Sequence, residues 1–109
     1  MAFTPVVALA DLSDGDMIGA LVDRRRVLVL RFGGTVHAYE DRCAHQGVPL
    51  SGGRLDGYVL TCPVHEWLYD VRSGQGISPA LACLNRFPVK IEHDQILVEI
   101  GRASCRERV

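Results

Sequence analysis

Two short segments, Cys43-Ala44-His45 and Cys62-Pro63-Val64-His65, constrain what this chain can fold into more than any other feature. Each offers one thiol and one imidazole, and sixteen residues, Gln46 to Thr61, separate them. Thiolate and neutral imidazole are the soft and borderline ligands of iron–sulfur clusters, zinc and copper. Two Cys and two His can close a tetrahedral zinc site. They can also hold a two-iron, two-sulfide cluster in which two imidazoles replace two thiolates on one iron.

The spacing and surroundings favour the cluster. A zinc finger usually pairs like with like, Cys with Cys and His with His. Here each pair is mixed, which suits a dinuclear centre: each segment can send its Cys to one iron and its His to the other. Gly47, Pro49, Gly52, Gly53 and Pro63 make both segments read as loops. Backbone N–H groups of such loops can point at the sulfides, which carry negative charge. A zinc-stabilised binding module stays open as the non-redox alternative.

Read further, the residues resemble a family. Cys43-Ala44-His45-Gln46-Gly47-Val48-Pro49-Leu50-Ser51 and Cys62-Pro63-Val64-His65-Glu66-Trp67-Leu68-Tyr69-Asp70 resemble the two cluster loops of Rieske proteins. The likeness continues through Gly74-Gln75-Gly76-Ile77-Ser78-Pro79, Cys83-Leu84 and Phe87-Pro88-Val89, where it is similar to the small Rieske ferredoxins of bacterial toluene and alkene monooxygenases. The resemblance implies one [2Fe–2S] cluster held by Cys43, His45, Cys62 and His65. It implies an electron carrier rather than an enzyme. The expected partners are an NADH-dependent flavoprotein reductase and the hydroxylase component of an oxygenase, first among them a diiron aromatic or alkene monooxygenase. The alternatives are the ferredoxin of a ring-hydroxylating dioxygenase and the small subunit of an assimilatory nitrite reductase. Gln46, Glu66 and Trp67 are the expected docking residues beside the imidazoles.

The departures from the family pattern are informative. High-potential respiratory Rieske proteins bridge their loops with two further Cys, and this chain has Val48 and Val64 at the matching positions. Trp67 stands where those proteins have a serine two residues after the second His. A lost disulfide and a lost hydrogen bond to sulfide both push the potential toward the low end of the Rieske range, about −150 to +300 mV. Glu66 replaces a common Gly and Ala44 a common Pro, and neither change removes a ligand. Cys83, with no His beside it, reads as a buried structural thiol.

The 109 residues are one domain by length. Only 6% are aromatic, so the core is expected to be mostly Val, Leu and Ile. The formal charge of −1 argues against nucleic acid as a partner. Residues 101–109 carry a net +2, and subtracting it from the total leaves −3 for residues 1–100. No run approaches the ~20 apolar residues of a membrane span. No basic, apolar leader opens the sequence, so a cytoplasmic location is the default expectation.

The pattern is all-β, with no helical periodicity sustained over three turns. Phe3–Ala8, Met17–Val22, Val27–Phe32 and Thr35–Tyr39 read as strands, with Gly33-Gly34 a hairpin turn. The first ligand loop is expected from Asp41 to about Gly53. Leu55–Leu60 reads as a turn and strand, Trp67–Asp70 as a strand, and residues 77–85 as irregular. Phe87–Glu92 and Ile96–Ile100 form a last hairpin around His93-Asp94-Gln95. The expectation is a Rieske-like antiparallel β-sandwich or barrel over residues 1–100, with a small cluster-binding lobe at about 41–70. His37 lies in a strand with no Cys near it and reads as an ordinary strand residue. Residues 101–109 break the alternation and read as a solvated tail of a composition that a cloning addition would also give.

Overall fold

In the computed structural model of the chain, residues 3–22, 24–42, 49–64, 66–78 and 83–99 are described. They form eleven strands: β1 Phe3–Ala8, β2 Met17–Val22, β3 Arg25–Phe32, β4 Thr35–Glu40, β5 Arg54–Asp56, β6 Val59–Thr61, β7 Leu68–Asp70, β8 Gly76–Ser78, β9 Arg86–Phe87, β10 Val89–Glu92 and β11 Gln95–Glu99. Two single-turn 3₁₀ segments, Leu9–Asp11 and Leu50–Gly52, interrupt them. Every strand pairing is antiparallel, in three sheets ordered β1-β11-β10, β2-β3-β4-β9 and β5-β6-β7-β8. Among the described residues no helix is long and apolar enough to cross a membrane.

The middle sheet explains the least ordinary strand in the sequence. Val27-Leu28-Val29-Leu30 does not alternate with polar residues, and all four side chains are fully buried. A strand reads as a continuous apolar run when both of its faces are covered. Here Val27, Val29, Val36 and Ala38 pack with Leu12, Phe87, Ile96 and Val98, which fills the space between the middle sheet and β1-β11-β10. Leu28, Leu30 and Tyr39 point the other way, into a second cluster with Leu50, Leu60, Cys62, Tyr69, Val71 and Leu84. The middle sheet is thus the shared wall of a β-sandwich and a smaller lobe built on β5–β8. Fully burying each such aliphatic side chain contributes roughly 1.5–3 kcal/mol.

The core is mostly Val, Leu and Ile, as expected, with Tyr39, Tyr69 and Phe87 its largest fully buried side chains. Two expectations are corrected. Residues 76–78, read in part as irregular, are strand β8, which pairs with β7 across a register shift; three residues are too short to display a period. The expected strand Phe87–Glu92 is two strands. Proline has no N–H to give a ladder and is confined to breaks and edges, so Pro88 ends β9, which pairs with β4, and β10 starts beyond it on β11. The Pro88 carbonyl still accepts the Glu99 N–H at 3.1 Å. Between β10 and β11, His93 (φ 53°) and Asp94 (φ 60°) take the left-handed turn that hairpins of this length favour.

Candidate metal centre

Strands β6 and β7 present the one expected ligand that lies among the described residues. Cys62 follows β6 directly and is 1% exposed. Its N–H donates to the Trp67 carbonyl at 2.8 Å, which closes residues 62–67 into a loop before β7 begins. Inside that loop Glu66 has φ 52°, left-handed backbone that glycine adopts more easily. Cys43, His45 and His65, and the expected docking residue Gln46, lie outside the described residues. Among the described residues no three Cys, His, Asp or Glu side chains converge on one point.

The exit of the first ligand segment is pressed onto this loop. A Cβ added at Gly53 would overlap the Thr61 carbonyl oxygen and lie 3.1 Å from Pro63 Cδ. Only a residue without a side chain allows that approach, which joins the Leu50–Gly52 turn to the end of β6. Gly52, Gly53, Thr61, Cys62, Pro63 and Glu66, with Arg54, line a cleft of about 260 Å³. A buried thiol beside a cleft lined in part by two glycines offers a metal–sulfide group a soft ligand and room for close backbone approach. The residues present therefore fit a cluster.

The start of the first ligand segment is fixed as firmly. Asp41 extends β4, is 3% exposed, and donates its N–H to the Arg26 carbonyl at 3.0 Å. Its Oδ1 accepts the Ser51 N–H at 2.8 Å, and its Oδ2 accepts the Ser51 hydroxyl at 2.7 Å. The segment carrying Cys43 and His45 is thereby bracketed by one carboxylate–serine pair. In the sequence Asp41 reads only as the start of a loop and Ser51 as part of the ligand-segment motif, and nothing in the sequence pairs them.

The remaining singled-out residues divide. Glu66 is exposed at the mouth of the cleft, as is Val64 at 36%. Trp67 is half-buried against the cluster that contains Cys62, which is the packing one expects under the loops. His37 is buried, and the Arg86 Nη2 lies 3.1 Å from its Nδ1. Cys83 is half-buried, so the reading of a buried structural thiol is corrected. The structural reason is its place at an isolated bridge to Gln75, at the margin of the lobe and not in its core.

An all-β body carrying a glycine-walled, cysteine-bearing lobe defines a class, the small iron–sulfur domains of antiparallel architecture. The chain belongs to the Rieske [2Fe–2S] domain family, whose model matches residues 2–88, and its cofactor is accordingly one Rieske-type [2Fe–2S] cluster. It is 44% identical to the ferredoxin component of the alkene monooxygenase system of Xanthobacter autotrophicus over 98 residues, 88% of this chain and 80% of that protein. It is 30% identical to the ferredoxin component of the naphthalene 1,2-dioxygenase system of Pseudomonas putida, over 87% of this chain and 92% of that one. Among solved structures, a chain in the complex of reduced oxygenase and oxidised ferredoxin of carbazole 1,9a-dioxygenase superposes with a TM-score of 0.83 at 31% identity. That match covers 94% of this chain and 95% of the other.

Proposed function

We propose that this chain is a Rieske ferredoxin that carries single electrons from an NADH-dependent flavoprotein reductase to the hydroxylase of a diiron aromatic or alkene monooxygenase. It does not itself transform a substrate. The observation that carries the reading is the buried Cys62 in a glycine-walled loop pair, in a chain 44% identical to an alkene monooxygenase ferredoxin component. The ring-hydroxylating dioxygenase reading is second, favoured by the 30% identity to a naphthalene dioxygenase ferredoxin component.

Cys43, His45, Cys62 and His65 are the proposed ligands. When bound, the cluster supplies one-electron redox chemistry, in a potential range that imidazole ligation lifts above the roughly −400 mV of plant-type ferredoxins. The chain's own residues supply the rest. The Cys62 sulfur is taken out of water by Leu60, Tyr69 and Trp67, which share its apolar cluster. Glu66 and Val64 stay on the surface beside it. Gln46, Glu66 and Trp67 are the proposed docking residues, and transient redox encounters need less than about 1,200 Å² of contact. Reductase and hydroxylase would therefore use one surface in turn.

The test is reconstitution. The reduced protein, mixed anaerobically with a purified diiron hydroxylase of the same host, should be reoxidised within the hydroxylase's turnover time. It should also restore NADH-dependent alkene or arene oxidation when the reductase is present. Reoxidation by a dioxygenase component alone would favour the second reading, and reoxidation by neither would reject both.

A further inference from the structure

Gly19, Asp41 and Ser51 come from three parts of the chain and meet at one point beside the first ligand segment. Asp41 is fixed at both levels. Its backbone is tied to β3 through the Arg26 carbonyl, and its carboxylate is buried. Both of its oxygens are spent on one residue, the N–H and hydroxyl of Ser51 at 2.8 and 2.7 Å. Strand β2 closes the arrangement from the side. A Cβ at Gly19 would lie 2.5 Å from Ser51 Oγ and 2.7 Å from Asp41 Oδ2. Real Cβ atoms do not approach so closely, so a side chain there would drive the serine or the carboxylate away.

Gly19 needs no positive φ, because it sits mid-strand in regular pairing with Leu28. A β-branched or larger residue would suit a strand better at this position. Its lack of a side chain is therefore explained by the pair it admits. A buried carboxylate is costly unless its lone pairs are satisfied, and here a single serine satisfies both oxygens in a two-point, directional contact.

We infer that Asp41, Ser51 and Gly19 form a clamp that positions the first ligand segment, holding its two ends, residues 41 and 51, at a fixed separation so that Cys43 and His45 are presented together. Asp41 and Ser51 are positioning residues, outside the proposed ligand set. The inference rests on the proposed ligand assignment, and it extends that assignment to residues outside the ligand set. The clamp acts by geometry and not by charge, which makes it separable from a Coulombic effect of the carboxylate on the cluster.

The comparison of Asp41→Ala with Asp41→Asn makes that separation. The amide can accept the Ser51 N–H through its oxygen and donate to Ser51 Oγ through its nitrogen, so it keeps both contacts without the charge. Alanine loses both. Iron release to an excess of chelator, the reduction potential and amide exchange at Ser51 are measured on the full-length holoprotein. Asp41→Ala should release iron about tenfold faster or more, since even one hydrogen bond to a charged group is worth that factor. It should also lose protection at the Ser51 amide. Asp41→Asn should stay within about twofold of wild type in release and protection. Any change in potential common to both variants reports the charge, and the difference between them reports the clamp. Ser51→Ala, which keeps the N–H contact, and Gly19→Ala should fall between wild type and Asp41→Ala; they decide the matter if Asp41→Ala does not fold. Wild-type iron release and Ser51 protection in Asp41→Ala, or equal losses in Asp41→Asn and Asp41→Ala, would overturn the clamp. Wild-type protein without iron would instead count against the ligand assignment, and Ser51 amide exchange would still test the clamp.

Discussion

The hydroxyl of Tyr39 donates a 2.6 Å hydrogen bond to the backbone carbonyl of Val71, and this buried bond ties the middle sheet to the turn that follows β7. Arg86 on β9 completes the tie. Its Nη1 donates to the Tyr39 hydroxyl at 3.2 Å and to the Arg72 carbonyl at 3.1 Å, and its Nη2 reaches His37 Nδ1. The sandwich and the cluster lobe therefore share a polar joint set within an apolar cluster. Tyr39→Phe keeps the ring and deletes the joint, leaving a buried carbonyl and a guanidinium short of a partner. It should destabilise the protein by about 1–3 kcal/mol, read as a lower midpoint in thermal or urea unfolding. A change below a few tenths of a kcal/mol would mean that water replaces the hydroxyl.

The same joint sets a pH dependence. A guanidinium only donates, so His37 Nδ1 accepts and the ring is neutral, with its proton on Nε2. Burial first, and the Arg86 charge second, hold the His37 pKa below the ordinary 6.5, while Asp70 pulls weakly upward. The unfolded chain then takes up a proton at His37 more readily than the folded one. Stability from this group is complete above pH 6.5 and declines as pH falls below it, toward the lower folded value. His37→Gln should flatten that limb in urea midpoints taken between pH 7.5 and pH 5. At the alkaline end, burial pushes Tyr39 up to about 12. Its contribution is present below pH 10 and is lost as pH rises toward 12.

Gly53→Ala should be among the most damaging single-methyl changes in the chain. The added Cβ would overlap the Thr61 carbonyl, a backbone atom that cannot rotate away. Overpacking of this kind costs typically 1–3 kcal/mol, and here it separates the two ligand segments. The expected result is weaker cluster retention together with lower stability. Wild-type iron content would show that the turn before β5 can shift without consequence.

Glu66→Gly should act in the opposite direction. At φ 52° the glutamate holds left-handed backbone that costs an ordinary residue roughly 1 kcal/mol, and glycine removes that cost at some loss of entropy. The variant should be more stable by a few tenths to about 1 kcal/mol. It also removes a charge from the cleft mouth, so the rate of electron delivery should lose part of its salt dependence.

Much of the fold is legible in the sequence. The strands β1 to β4 and the last hairpin follow from β-branched runs and turn residues that act over a few positions. The four ligand types and their spacing are likewise local. What could not be read were relationships between distant positions. Arg86 meets His37 and Tyr39 across 49 and 47 residues, and no periodicity links them. Asp41 and Ser51 sit ten residues apart in a segment that reads only as loop. Gly19 carries no signal within the Met17–Val22 strand, because the reason for it lies in what packs against it. Strand β8 escaped because it is too short for alternation, and the break at Pro88 because its apolar flanks read as one run.

The ligand assignment is tested most directly by iron and acid-labile sulfide in anaerobically purified protein from iron-replete cells, beside Cys62→Ser prepared in parallel. The expected result is two iron and about two sulfide per chain in the wild type. In Cys62→Ser the visible absorption should be lost and amide protection should fall across β5–β8 while β3, β4 and β11 keep theirs, because metal binding carries much of the lobe's order. Stoichiometric zinc without sulfide, or an intact cluster in Cys62→Ser, would contradict it.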